Sequence, residues 1–99
     1  MKWLLLVRPE AEHDIAAARD WYDAVHPKLG DAFLDEIAVT VYPLTEHPEV
    51  PRLYYQNFRR ILLQRFPYKV FYQVIGQRVV IFRVLHVRQC HESALSTPR

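Results

Sequence analysis

The run Tyr68-Lys69-Val70-Phe71-Tyr72-Gln73-Val74-Ile75-Gly76-Gln77-Arg78-Val79-Val80-Ile81-Phe82-Arg83-Val84-Leu85-His86-Val87 decides how the chain folds. Tyr68 to Ile75 and Arg78 to Val87 are rich in β-branched and aromatic residues, and Gly76-Gln77 between them supplies a two-residue hairpin turn with glycine where positive φ is needed. That turn predicts a register: Ile75 opposite Arg78, Val74 opposite Val79, Gln73 opposite Val80, Tyr72 opposite Ile81, Phe71 opposite Phe82, Val70 opposite Arg83 and Lys69 opposite Val84. Alternation then puts Tyr68, Val70, Tyr72, Val74, Val79, Ile81, Arg83 and Leu85 on one face, and Lys69, Phe71, Gln73, Ile75, Arg78, Val80, Phe82 and Val84 on the other. Both faces are substantially apolar, so both need cover.

Upstream the pattern extends the sheet and then changes period. Arg59 to Phe66 alternates before Pro67 interrupts it, Arg52 to Gln56 reads as a short edge strand, and His47 to Arg52, with Pro48 and Pro51, is a loop. Before that loop the apolar spacing is helical. Leu29, Phe33, Ile37, Val41 and Leu44 recur every three or four residues, with Pro43 predicting a kink or stop near Tyr42. Ala11, Ile15, Ala18, Tyr22 and Val25 mark an earlier amphipathic helix over residues 10 to 25, entered through Arg8-Pro9 and left through His26-Pro27-Lys28-Leu29-Gly30. The short connection predicts two antiparallel helices, and Lys2 to Val7 reads as an N-terminal strand. Such a hairpin covers one face of the sheet only. The second face is left for the C-terminal tail, a second copy or a partner chain, and Phe71 and Phe82 among Gln73, Lys69 and Arg78 give it the character of a binding surface.

Ninety-nine residues, 51% hydrophobic and 24% charged, make one folded domain and exclude a multidomain enzyme. A chain of this size buries only roughly 60 to 70% of its unfolded surface, which leaves little room for an enclosed cofactor pocket beside a core. Function is therefore expected on a surface or in a shallow groove. The lone Cys90 cannot form an internal disulfide, and the longest early apolar run, Trp3 to Val7, is too short for a signal peptide or a membrane span, so a cytoplasmic protein is expected. The two glycines, Gly30 and Gly76, build no phosphate loop or dinucleotide fingerprint, and no cofactor is expected. His86, Cys90, His91 and Glu92 cluster near the end without the paired ligand spacing of a zinc site, so no metal is expected.

The net charge of +2 conceals an asymmetry. Residues 1 to 50 carry four basic against ten acidic side chains, a balance of −6, and residues 51 to 99 carry nine against one, a balance of +8. If the halves form different layers, one face carries a positive field that attracts a phosphate backbone or an acidic protein; alternatively the halves neutralise each other across an internal seam. Arg59 and Arg65 share one face of an alternating strand and Arg60 takes the other, so the three cannot meet one ligand. Binding of phosphate or an acidic partner is expected among Arg52, Arg59, Arg65, Lys69, Arg78 and Arg88. On the first helix, Glu10, His13 and Asp14 read as a solvated face, and Trp21 and Tyr22 as packing residues.

Three segments in this order resemble a known superfamily: Leu29-Gly30-Asp31-Ala32-Phe33-Leu34 opening the second helix, Arg60 to Val74 around Arg65-Phe66-Pro67-Tyr68-Lys69, and Val79 to Arg88 with Val84-Leu85-His86-Val87-Arg88. The chain is similar over nearly its whole length to the RelE/ParE toxins of bacterial type II toxin-antitoxin systems, often described as plasmid stabilisation proteins. The resemblance implies an α+β fold, a helical hairpin on a twisted, mostly antiparallel sheet, and a toxin neutralised by an antitoxin wrapped around it. RelE-like members cleave messenger RNA on the ribosome, and the resemblance carries their basic positions onto Lys69, which follows Tyr68, and onto His86 with Arg88 nearby. Their C-terminal tyrosine has no counterpart, because Tyr72 is the last tyrosine. ParE-like members inhibit DNA gyrase without performing chemistry, and Arg65-Phe66-Pro67-Tyr68 and Val84-Leu85-His86-Val87-Arg88 are more like that branch. The resemblance thus implies a growth-inhibiting toxin, with gyrase as the favoured target, ribosome-dependent cleavage as the alternative, and an inactive antitoxin-binding member as a third reading. The residues expected to meet a partner are Arg59, Arg65, Phe71, Arg78 and Phe82.

Overall fold

The computed structural model describes residues 2–89 and 94–95. The element order is β1 (Leu4–Val7), α1 (Pro9–Val25), α2 (Leu29–Val41), a 3-10 turn (Tyr42–Thr45), β2 (Leu53–Tyr55), β3 (Phe58–Leu62), β4 (Tyr68–Ile75) and β5 (Arg78–His86). The five strands form one sheet in the order β1-β5-β4-β3-β2, antiparallel except for β1, which runs parallel to β5. This is the expected α+β arrangement. The parallel pair follows from the connectivity, since α1, α2 and three strands intervene between β1 and β5 and bring the chain back in the same direction.

The helix boundaries have local causes. Pro9 occupies the first turn of α1, where an N–H is unpaired anyway, and Glu10 and Glu12 sit at the positive end of its dipole. Lys28, at φ 69°, turns the chain into α2, and the Gly30 N–H donates to Asp23 Oδ1 at 2.8 Å, so a carboxylate from one helix caps the start of the next. Pro43 ends the regular helix as expected, and the chain tightens into the 3-10 turn from Tyr42. Ala11, Ile15, Ala18 and Tyr22 pack on the sheet with Phe33 and Val41, whereas Val25, past the edge of the sheet, is 58% exposed. Strand β3 stops at Leu62, short of the Phe66 predicted, because the chain turns beneath α2 at residues 64 to 67.

The hairpin turn is at Gly76-Gln77, with Gly76 at φ 60°, and the predicted register holds from Ile75–Arg78 to Tyr72–Ile81. Beyond it the prediction fails. Phe71 pairs with Arg83, Val70 with Val84 and Lys69 with Leu85, so Phe82 is the extra residue of a β-bulge. One inserted residue reverses the inward set of a strand. Val79 and Ile81 face the helices, and past the bulge Val84 does so, while Leu85 turns to the opposite face. Sequence alternation alone had assigned Val84 and Leu85 the other way round.

The face away from the helices has its own cover. Phe58, Phe71 and Leu85 are buried there with Leu95, and Tyr54, Tyr55, Phe82 and Ala94 pack around them. Phe58 meets Phe82 edge to face at 5.0 Å. Of the three covers predicted for this face, the C-terminal segment is the one seen, through Ala94 and Leu95.

Candidate functional site

Where α1 passes over the ends of β4 and β5, the helix and sheet diverge and leave an open groove of about 700 Å³. Ala17, Ala18 and Trp21 of α1 form one wall, Tyr68 and Val84 line it from the sheet, and His86, Arg88 and Gln89 rim it. Its small alanines follow from the helix spacing, which brings Ala11, Ala18 and Tyr22 to the sheet and leaves Ala17 and Trp21 at the margin. Trp21 is 63% exposed and stands edge-on to Tyr22 at 5.1 Å. Tyr22 is a packing residue, as expected, lying against Phe33, Phe66 and Tyr68. Burial raises the hydroxyl pKa of both Tyr22 and Tyr68, with the Asp14 charge adding to the effect at Tyr68, so both stay neutral donors.

The groove is anchored by an ion pair whose acid, Asp14, the helix pattern places on a solvated face. Asp14 Oδ2 accepts from Arg83 Nε at 2.7 Å and from the Val84 N–H at 3.0 Å, while Oδ1 accepts from Arg83 Nη2 at 3.0 Å. Asp14 is not part of a solvated face; it locks α1 to the bulged segment of β5 and holds the Arg83 pKa above its ordinary value. A signal was present in the sequence, since Asp14 lies three residues after Ala11 and four before Ala18, on the buried stripe. Its partner could not be read, because Arg83 lies 69 residues away in β5 and only the packing of α1 on the sheet joins them.

A second pair, Glu36 with Arg65 at 3.1 Å, ties α2 to the turn before β4, and Glu36 also accepts from the Gln64 and Arg65 N–H groups. Those bonds, the Gln64 N–H foremost, hold its carboxyl below the usual range. The acidic and basic halves are thus partly neutralised across the helix–sheet seam. On the opposite face Arg60 lies over the Tyr54 ring at 3.9 Å, and Lys69 is neighboured by it. Neither makes an ion pair among the described residues. Burial, reinforced by the Arg60 charge, lowers the Lys69 pKa.

The candidate residues therefore scatter. Lys69 pairs with Leu62 and Leu85 and shares their outer face, whereas His86 packs on Tyr68 with ring centroids 5.2 Å apart in the groove. The His86 Nδ1 accepts the Arg88 N–H at 3.1 Å, leaving Nε2 to carry the ring proton in the neutral form. Arg59 is directed at the loop before β2, donating to the carbonyls of Glu49 and Pro51, where Tyr72 also donates to Pro48 at 2.6 Å. Burial pushes the Tyr72 hydroxyl up to about 12. Phe71 is fully buried, Phe82 is half-buried beneath the Arg8 guanidinium at 4.6 Å, and Arg78 is exposed beside the hairpin turn. Cys90, His91 and Glu92 lie outside the described residues.

Comparison with solved structures gives the same architecture. A chain from the chromosomal ParDE toxin-antitoxin system of P. aeruginosa aligns with a TM-score of 0.78 at 22% identity, covering 86% of this chain and 96% of that one. A chain of the RelBE2 toxin-antitoxin complex from Mycobacterium tuberculosis aligns with a TM-score of 0.54 at 20% identity, covering 87% and 99%. No curated protein matches the chain. No helix among the described residues is long and apolar enough to cross a membrane. The model of the ParE toxin of type II toxin-antitoxin systems, parDE, matches residues 5–90, and with that span of its sequence the chain belongs to this toxin family.

Proposed function

We propose that this toxin arrests growth by ParE-like inhibition of DNA gyrase and does so without chemistry of its own. The carrying observation is the separation of Lys69 from His86 and Arg88 by the thickness of the sheet. Cleavage of a phosphodiester needs a cation on the phosphate and proton-transfer groups within about 3 Å of the reacting oxygens, hence on one side of the sheet. Binding a protein target needs only an exposed, shaped surface. The cognate antitoxin is the natural occupant of the groove between α1 and β4–β5, whose apolar walls suit an amphipathic segment and whose rim offers Arg88 to its acidic residues.

The alternative, ribosome-dependent RNA cleavage, has one observation in its favour: Arg60 and Lys69 stand together on the outer face with no carboxylate partner among the described residues. The decisive comparison sets gyrase supercoiling against messenger RNA end mapping in a reconstituted translation reaction, with wild type, Lys69→Ala and His86→Ala. The proposal expects supercoiling to be inhibited and messenger RNA to remain intact. Ribosome-dependent cuts abolished by either substitution overturn it.

A further inference from the structure

The edge of the sheet at β1 is uncovered. Leu4, Leu5 and Leu6 are 67%, 37% and 44% exposed, a concentration of leucine on a strand with a neighbour on one side only. The Leu4 and Arg8 N–H groups donate to the Gln77 and Ile81 carbonyls of the β5 side, so alternation turns the N–H and C=O of Leu5 and Val7 outward. Just before them the Trp3 N–H is taken by the Thr45 carbonyl at 2.8 Å, which ends the free edge. Leu5 and Val7 also line a cleft of about 220 Å³ walled by Ile15, Ile37, Val41 and Tyr42. An edge of this kind is a template for another strand.

We infer that a second copy of this chain pairs with β1, antiparallel about a two-fold axis at Leu6, to give a continuous sheet across two toxin molecules. The free groups select the register. Antiparallel strands exchange bonds between residues that both point outward, and Leu5 opposite Val7 of the other copy, with Val7 opposite Leu5, uses every free group at the edge. Leu6 then faces Leu6 on the outer side, and Leu5 and Val7 of both copies close over the two apolar clefts. Charges agree with this direction. In the same register Arg8, just past the end of β1, falls opposite Leu4, so no like charges oppose each other along the strand. A parallel pairing in register would set Arg8 against its own copy, at a cost in repulsion. The pairing is isologous and closes at two subunits, because each copy offers one such edge. Four hydrogen bonds and a few leucines make a small interface, hence a dimer that dissociates on dilution.

The test is sedimentation of the full chain, free of antitoxin, across a concentration series, with Leu6→Lys, Leu6→Glu and Val39→Lys variants. Leu6 points away from the helix-side core, and Val39, 73% exposed on α2, is the control. Wild type and Val39→Lys should dimerise reversibly. Leu6→Lys and Leu6→Glu, each setting like charges together on the axis, should weaken the dimer at least about tenfold. An equimolar mixture of the two should recover a mixed dimer, which a folding defect cannot produce. A wild type that stays monomeric at high concentration, a dimer unmoved by Leu6→Lys, or a mixture that fails to recover would each overturn the inference. None of these results depends on whether the target is gyrase.

Discussion

Removing the Asp14 carboxylate should be among the most damaging changes outside the apolar core. Asp14→Ala takes three acceptor contacts from one segment: both bonds to Arg83 and the bond to the Val84 N–H. The side chains of Asp14 and Arg83 are 11% and 27% exposed, so the guanidinium left behind is only partly rehydrated. A hydrogen bond involving a charged group contributes about 1.5 to 3 kcal/mol, and an unpaired buried N–H costs about 1 to 3 kcal/mol. Allowing for the water that reaches Arg83, the expected loss is roughly 2 to 4 kcal/mol, below the full cost of breaking a buried pair. In a domain of this size that lowers Tm by roughly 10 to 25 °C. Urea unfolding followed by tryptophan fluorescence measures it, and Asp14→Ala combined with Arg83→Met should recover part of the loss by removing the stranded charge while keeping the apolar stem. A loss below about 0.5 kcal/mol, in the range of an exposed surface pair, would refute the view that this pair locks the helix to the bulge.

The remaining expectations concern the helix junction, acid stability and the groove. Gly30→Ala would place a Cβ 2.7 Å from the Arg19 carbonyl oxygen, so α2 must shift from α1, and a loss of roughly 1 to 3 kcal/mol is expected in the same urea titration. The carboxyl of Glu36 is held below its ordinary pKa, so its contribution is complete above the ordinary carboxylate value and disappears as pH falls through the lowered one. Glu36→Gln should therefore flatten the acid limb of the stability curve, and an unchanged limb counts against the role given to its three donors. Trp21→Ala should leave stability within about 0.5 kcal/mol yet weaken antitoxin binding by about 2 kcal/mol or more in calorimetry, with affinity falling as salt rises. Equal effects from the distant Val39→Ala would remove the antitoxin from the groove.

Phe71 shows why partner residues were harder to read than strands. Its place opposite the helix face was legible from alternation, and with it the second apolar face. Its availability was not, because Tyr54, Phe58 and Leu95 reach it from other parts of the chain and leave it fully buried. Phe71→Ser is accordingly a test of folding, with a loss comparable to the ~3 to 5 kcal/mol of Phe→Ala. Arg59 and Arg65 carried the right charge for an anion, yet a backbone loop and Glu36 respectively engage them.

Each local decision was legible in the residues: the two helices and their stops at His26 and Pro43, the hairpin at Gly76-Gln77, and the charge asymmetry between halves. These follow from periodicity and turn chemistry, which act over a few residues. Tertiary structure alone decided the parallel seat of β1, the bulge at Phe82, the pairing of Asp14 with Arg83, and the separation of Lys69 from His86. A single extra residue in β5 reverses which side chains meet α1, and no pattern within one strand reveals it, because the bulge is settled only when two strands and a helix compete for the same hydrogen bonds.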